Sequence, residues 1–186
     1  LQDEQTRLMP LPRAFDGYVE QTVRVSATAL VHLQRNRYSV PTRYVNEVLS
    51  LRVYPDTLVL VTDGVEVARH PRSFERHLTF YDWQHYIALV ETKPGALRNG
   101  APFKAMPEVL QTLQRHLLRH AGGDRVMAQV LAAVPVHGLE TVLVAAELAL
   151  EAGRPSAEHV LNVLARLREG PPPPSVETAL QVSAAP

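Results

Sequence analysis

Short hydrophobic runs separated by turn residues occupy the chain from Gly17 to about Arg69. The runs are Val19 to Val25, Leu30 to Leu33, Val48 to Val53, Thr57 to Thr62 and Val65 to Ala68. Asp63-Gly64 joins the last two runs and predicts a two-residue hairpin, because a type I′ turn needs positive φ at both central residues. Tyr54-Pro55-Asp56-Thr57 predicts a second turn. About five short strands with such tight turns predict a small antiparallel β-barrel of the SH3-like kind.

The hydrophobic period changes after Phe80. Thr79-Phe80-Tyr81-Asp82 has the spacing of a capping box and predicts a helix that runs to about Glu91. Lys93 to Phe103 contains two glycines and two prolines, which predicts an ordered loop or linker. Helices are then predicted over Pro107 to His120, Asp124 to Val134, Leu139 to Glu151 and Pro155 to Arg168. Their short connections favour antiparallel hairpins, and the third helix, apolar on nearly all sides, is expected at the centre.

These elements predict an α+β protein in which a small β-barrel is followed by a bundle of short antiparallel α-helices. The expected organisation is a linker at 1–16, the barrel at 17–78, the helical domain at 79–169 and a disordered, proline-rich tail at 170–186. The tail begins with Pro171 to Pro174, which cannot continue a helix.

The composition excludes several classes of function. The 186 residues contain no cysteine, so thiol nucleophiles and cysteine zinc sites are excluded. Nineteen basic and nineteen acidic residues create no global field for nucleic acid, so any DNA contact must come from a local patch. The longest apolar stretch, Leu139 to Leu150, is shorter than the roughly 20 residues of a membrane span, and no signal peptide is evident. The chain begins at Leu1, which favours a fragment of a larger protein.

The candidate catalytic and metal-binding residues are weak. His116 and His120 have metal-ligand spacing on the predicted helix, but position 117 is Leu where a zinc protease needs a glutamate, which favours an ordinary helix face. Asp56 and Asp63 fall in predicted turns, and Asp82 and Asp124 fall at helix starts, where the helix dipole favours negative charge. Asp3 and Asp16 precede the predicted folded region. No serine elbow, phosphate-binding lysine loop or dinucleotide glycine pattern occurs. We therefore expect no complete catalytic site and no cofactor in these residues.

Two basic clusters are the best candidates for binding. The first is Arg35-Asn36-Arg37-Tyr38 with Arg43, and the second is Arg69-His70-Pro71-Arg72 with Arg76 and His77. Guanidinium forks match phosphate oxygens and a tyrosine can stack on a base or sugar. Nearby glutamates dilute the positive field, so a solvated barrel surface remains an equal alternative. The predicted DNA-binding residues are Arg35, Arg37, Tyr38, Arg43, Arg69 and Arg72.

Several phrases together resemble the C-terminal region of IstA-type insertion-sequence transposases. They are Arg7-Leu-Met-Pro-Leu-Pro, Asn36-Arg-Tyr-Ser-Val-Pro41, Val67-Ala-Arg-His70, Gln84-His-Tyr, Lys93-Pro-Gly-Ala-Leu-Arg-Asn-Gly-Ala-Pro-Phe103 and His159-Val-Leu-Asn162. The resemblance runs in order from about Leu8 to Leu167 and fades after Pro174.

The resemblance implies a bacterial, cytoplasmic, nucleoid-associated parent protein. Such a parent has an RNase H-like domain upstream of Leu1, whose Asp, Asp and Glu bind Mg²⁺, so no residue of this chain is assigned to catalysis. The β segment would resemble the barrel of Mu transposase and contact DNA at the transposon end or target. The implied partners are DNA, the helper AAA+ ATPase IstB and further copies of the transposase.

Two other functions remain open from the sequence. The helical segment could be a protein-interaction module with the barrel as a spacer. Basic residues scattered over the barrel, together with an apolar groove on the helices, would favour this function. An independent enzyme would need a metal or nucleotide bound to the isolated chain.

Overall fold

The structure is a computed structural model that describes residues 17–153 and 155–169. The predicted linker at 1–16 and tail at 170–186 lie outside the described residues. The chain divides into two compact units, with the boundary between Tyr86 and Ile87. Residues 79–86, which we predicted as the start of the helical domain, therefore group with the β unit.

The β unit contains seven strands among the described residues. They are β1 (Val19–Arg24), β2 (Leu30–Leu33), β3 (Asn36–Ser39), β4 (Val48–Val53), β5 (Thr57–Thr62), β6 (Val65–Pro71) and β7 (Thr79–Phe80). One antiparallel sheet has the order β1-β4-β5-β6, and a second sheet has the order β2-β3-β7. Two 3-10 turns, Thr42–Tyr44 and Trp83–Tyr86, complete the unit.

The antiparallel character of the prediction is confirmed, but the described strands do not close into a barrel. They form two separate hydrogen-bonded sheets, and β7 pairs with β3 in parallel. Sequence patterns missed β3 and β7 for a physical reason. The polar Asn36 and Ser39 are fully buried in β3, and β7 has only two residues, too few for a period.

Inward-facing side chains from both sheets form the core of the β unit. The core residues are Val25, Val31, Tyr38, Val40, Leu49, Leu51, Leu58, Leu60 and Ala68. Strand β5 is buried along Leu58 to Val61, as expected of a central strand that is covered on both faces. The predicted Asp63-Gly64 hairpin is confirmed, with φ of 50° and 78° at its two central residues.

The helical unit contains seven helices among the described residues. They are α1 (Ile87–Thr92), α2 (Ala96–Asn99), α3 (Glu108–Leu117), α4 (Gly123–Ala132), α5 (Val134–His137), α6 (Leu139–Glu151) and α7 (Ala157–Glu169), with a 3-10 turn at Ala101–Ala105. No helix in the described part of the chain is long and apolar enough to cross a membrane.

Two predictions at the start of this region were wrong. Thr79 lies in β7 rather than at a helix cap, and Asp82 alone caps the Trp83–Tyr86 turn, its Oδ1 accepting from the Gln84 amide at 2.9 Å. Lys93 to Phe103 is also more regular than a loop, because α2 and the following 3-10 turn occupy most of it. Each of these elements has five residues or fewer, so prolines and glycines can flank it without breaking it.

The centre of the helical unit is α4, not α6 as predicted. Helix α4 packs against α1, α3, α5 and α7 and buries Met127, Val130 and Leu131. Helix α6 packs against α3, α5 and α7 but leaves Val144 and Leu148 exposed. Its buried side is made mainly of alanines, so uniform hydrophobicity did not reveal which side faces solvent.

Candidate nucleic-acid interface

The β2–β3 hairpin presents an arginine at its tip in an uncommon backbone conformation. Gln34 and Arg35 are the central residues of its two-residue turn and have φ of 49° and 73°. Glycine or asparagine normally occupies such positions, because a Cβ is strained there. Strained backbone of this kind is often found at functional sites, which makes the tip of the hairpin a candidate site.

Asn36 fixes a loop, residues 72–78, against this hairpin. Its Nδ2 donates to the carbonyl oxygens of Ser73 at 3.2 Å and Glu75 at 2.7 Å, and its Oδ1 accepts from the Leu78 amide at 3.0 Å. The His77 amide also donates to the carbonyl of Arg35 at 3.0 Å. Because Asn36 is fully buried, these bonds hold the loop beside the hairpin in one conformation.

The hairpin and the loop together form what we call the hairpin–loop surface: Arg35, Arg37, Phe74, Arg76 and His77. All five are exposed, and Phe74 is 72% exposed. On β3, Arg37 lies opposite the exposed His32 of β2. The Arg37 amide donates to the Leu78 carbonyl. The two basic clusters of the sequence are thus partly brought together here. Glu75 is the carboxylate within the same loop.

Tyr38 does not belong to this surface. Its side chain is 1% exposed and stacks on Phe80, with ring centroids 5.0 Å apart and planes within 8°. Its hydroxyl accepts from the Ser73 amide at 3.4 Å. A buried ring offers no face to a nucleobase, so the aromatic group available near the arginines is Phe74.

Arg69 lies on a different, electrically compensated face. It forms a two-pronged ion pair with Glu66 at 2.9 and 2.6 Å on the exposed surface of β6. This pairing lowers the pKa of Glu66 and raises that of Arg69. On the same sheet Arg52 pairs with Glu20 at 3.5 Å, and the pKa of Glu20 is lowered chiefly by a hydrogen bond from Ser50.

The other two predicted arginines are also engaged. Arg72 is half-buried, donates to the Tyr54 carbonyl at 3.0 Å and lies 4.7 Å from the Phe74 ring centre. Arg43 is exposed on the Thr42–Tyr44 turn, with its guanidinium 4.8 Å from the Tyr44 ring centre. Arg72 therefore supports Phe74, and a DNA contact by Arg43 stays a prediction.

A buried polar cluster centres on Ser39. Its hydroxyl accepts from the Asp82 amide at 2.8 Å and shares a hydrogen bond with Nδ1 of His85 at 2.9 Å. Its carbonyl accepts from Nε2 of His70 at 2.6 Å. The two imidazole rings are 5.8 Å apart. Ser39 thus joins strand β3, strand β6 and the turn at Trp83–Tyr86.

Burial lowers the pKa of both histidines of this cluster. Desolvation lowers the pKa of His85 to about 4, despite the opposing field of Asp82. Desolvation also lowers the pKa of His70, against the hydrogen bond to Ser39. Nearby, burial raises the pKa of Tyr86, whose hydroxyl donates to the Thr28 carbonyl at 3.1 Å.

The described residues provide no metal centre. No group of three or more His, Asp or Glu side chains among them lies close enough to hold an ion. Helix α3 ends at Leu117, so His116 and His120 do not share a helix face.

The chain is similar in sequence to transposases. Residues 11–82 match the family model of the Mu transposase C-terminal domain. Two relatives named as the transposase for insertion sequences IS1326/IS1353, from Pseudomonas aeruginosa and Shigella flexneri, are 54% identical over 176 residues. A transposase from Aminobacter aminovorans is 51% identical over 173 residues. These findings support a relationship to insertion-sequence transposases.

The coverage of these matches is unequal. The match to each IS1326/IS1353 relative spans 92% of this chain but 35% of the relative, and for the third relative the shares are 90% and 34%. The chain thus spans about a third of their length. No solved structure matches the chain.

Sequence reasoning missed the role of Asn36 and of Phe74. Asn36 looked like part of a basic run, and only its complete burial identifies it as the residue that fixes the loop. Phe74 lies in a short polar segment without periodicity. A local signal existed for His70, since it follows the buried Ala68 by two residues in a strand, which places both on the inward face.

Proposed function

We propose that this chain is a non-catalytic, C-terminal part of a DDE transposase of an insertion sequence and that its β unit contacts DNA. The observation that carries the proposal is the hairpin–loop surface, where Arg35, Arg37 and Arg76 are exposed and form no ion pair with a described residue. Unpaired guanidinium groups are the usual ligands of the DNA backbone.

The architecture of this surface suits a backbone contact. The three arginines lie on segments held by the buried Asn36, so little conformational freedom is lost when a phosphate binds. Phe74 offers an exposed ring beside them for packing on a sugar or an unstacked base. Among the described strands this surface differs from the β6 face, where Glu66 already neutralises Arg69.

The wider role of the protein follows from the resemblance to IstA-type transposases. We infer that strand transfer depends on an RNase H-like domain of the parent protein and on Mg²⁺ bound there. The present residues would support assembly of the transposase on DNA, together with further copies and with an IstB-like helper ATPase, in the bacterial nucleoid.

The DNA contact is tested by titrating a fluorescent DNA duplex with the 186-residue chain and two matched triple variants. One variant replaces Arg35, Arg37 and Arg76 with alanine, and the control replaces Arg24, Arg52 and Arg69. Both remove three positive charges. The first should flatten the slope of log affinity against log salt by about 3, since each duplex phosphate contact contributes roughly 0.9. The control should retain the wild-type slope.

The rival function is a helical interaction module in which the β unit serves only as a spacer. It predicts no measurable duplex affinity for the wild-type chain, or equal losses in the two variants. Either result would remove the hairpin–loop surface as a DNA contact.

A further inference from the structure

The helical unit contains an open cleft of about 370 Å³ between α3 and the segment Ala96 to Ala105. This segment belongs to Lys93-Pro-Gly-Ala-Leu-Arg-Asn-Gly-Ala-Pro-Phe103, one of the phrases that stand out in the sequence. The proposed DNA contact of the β unit does not involve these residues. In the structure they form one wall of the cleft.

The walls of the cleft are fixed by backbone contacts. Gly100 leaves no room for a side chain, because a Cβ there would lie 2.6 Å from the Ala96 carbonyl oxygen and 2.8 Å from the Phe103 ring. From α3, Gln114 donates to the Leu97 carbonyl at 2.9 Å, and Gln111 donates to the Met106 carbonyl at 2.7 Å. The cleft is therefore formed before any ligand arrives.

The charged residues that line the cleft are all basic: Arg98, Lys104 and Arg115. Each is exposed. Arg115 is braced by its own helix, since Nη2 donates to the Thr112 hydroxyl at 2.8 Å and Nε to the Gln111 carbonyl at 3.4 Å. Asp124 lies outside the lining and approaches Arg98 Nε at 3.7 Å, a long and partial compensation.

We propose that this cleft binds phosphate groups of the DNA backbone and gives the helical unit a DNA contact of its own. Three cationic side chains line the cleft, and the nearby carboxylate of Asp124 compensates only one of them at long range. The surplus of positive charge suits a polyanion with closely spaced phosphates better than a single acidic side chain. Gln111 already donates both of its amide N–H groups to the walls, and Gln114 donates one. The three cations supply the positive charge that phosphate oxygens would meet in the cleft. This inference rests on the proposed function only in taking DNA as the partner.

The test uses the full 186-residue chain, a fluorescent DNA duplex and a fluorescent glutamate-rich peptide as probes. The cleft variant carries Arg98→Gln, Lys104→Gln and Arg115→Gln. Its matched control carries Lys93→Gln, Arg125→Gln and Arg166→Gln, which are exposed and lie outside the cleft. Circular dichroism establishes that both variants fold. The hairpin–loop variant is measured in parallel.

Raising the salt from about 50 to 200 mM weakens DNA binding by both proteins. Because the cleft variant lacks three phosphate contacts, its factor of weakening should be about 40 times smaller than that of the wild type. The control should follow the wild type. If the cleft variant keeps the wild-type salt dependence while the hairpin–loop variant loses it, the cleft proposal fails and the proposed function stands. The reverse result supports the cleft and overturns the hairpin–loop contact. Unchanged DNA binding with lost peptide binding would assign the cleft to an acidic protein instead.

Discussion

The neutral His85 makes the stability of the β unit depend on pH in a defined range. In the folded chain its pKa is lowered to about 4 by burial, whereas the unfolded value is 6.5. The unfolded chain therefore binds more protons between these values, and stability rises with pH across them. The contribution is fully present above pH 6.5 and is lost progressively as the pH falls toward 4. His70, whose pKa is also lowered, acts in the same direction.

The shift sets the expected size of the effect. The difference between the folded and unfolded pKa values corresponds to on the order of 3 kcal/mol, of which roughly 2 kcal/mol should be lost by pH 5. Solvent screens this effect little, because the His85 side chain is 11% exposed. Protonation would also fix Nδ1 as a donor in its hydrogen bond with the Ser39 hydroxyl. Both effects weaken the attachment of the Trp83–Tyr86 turn to β3.

Urea denaturation at a series of pH values between 7 and 4 measures the effect. His85→Asn keeps an amide that can hydrogen-bond with the Ser39 hydroxyl but removes the titrating group, so its stability should fall less steeply with acidity. His32→Asn, on the exposed face of β2, serves as the matched control and should keep the wild-type pH dependence. If His85→Asn and the wild type lose equal stability over this range, the buried histidine is not the source of the acid sensitivity.

Three further substitutions test the fold around the two proposed contacts. Arg35→Gly should raise the free energy of unfolding by about 1 kcal/mol, because it relieves a left-handed residue, and should weaken duplex binding. Asn36→Ala should lower it by on the order of 3 kcal/mol and speed hydrogen exchange at the Leu78 amide, which would lose its acceptor. Gly100→Ala should lower the melting temperature through overpacking, with a cost of about 1–3 kcal/mol, whereas Gly95→Ala meets no atom within 4 Å and should not. Equal melting temperatures for the two glycine variants, or unchanged stability in either of the others, would contradict the corresponding contact.

Local patterns predicted much of the fold. The hydrophobic runs located β1, β2, β4, β5 and β6, and the Asp63-Gly64 pair located its hairpin, because both signals act over a few residues. Helix α6 was predicted with its observed bounds, Leu139–Glu151, since glycine precedes it and most of its residues are apolar. The elements that were not predicted depend on contacts with residues far away in the sequence. Strand β3 is stable because its polar side chains meet residues 73–85, more than thirty positions away.

The residues of the candidate site show the same contrast between local patterns and contacts with distant residues. The sequence named Arg35 and Arg37 as candidates, and both are exposed, which is common for arginine. It did not separate them from Arg69 and Arg72, whose engagement depends on Glu66 and on the Tyr54 carbonyl. Tyr38 was assigned to the surface because its neighbours are charged, although strand alternation turns it to the opposite face from Arg37.

The phrases that resemble the transposase family have a structural explanation in this chain. Asn36, Ser39, His70 and His85 come from three such phrases and meet through the hydrogen bonds around Ser39 and the loop that follows β6. Their side chains are largely buried, so they shape the β unit rather than contact a ligand. The exposed arginines beside them are the part that can reach DNA.

The central claim is that DNA contacts the hairpin–loop surface, and backbone amide NMR shifts during titration with a DNA duplex test it most directly. We expect the amides of Arg35, Arg37 and His77 to shift strongly and to lose their shifts at high salt. The amides of Glu66 and Arg69, on the compensated face, should remain in place. Shifts centred on Glu66 and Arg69, with the hairpin unchanged, would contradict the account.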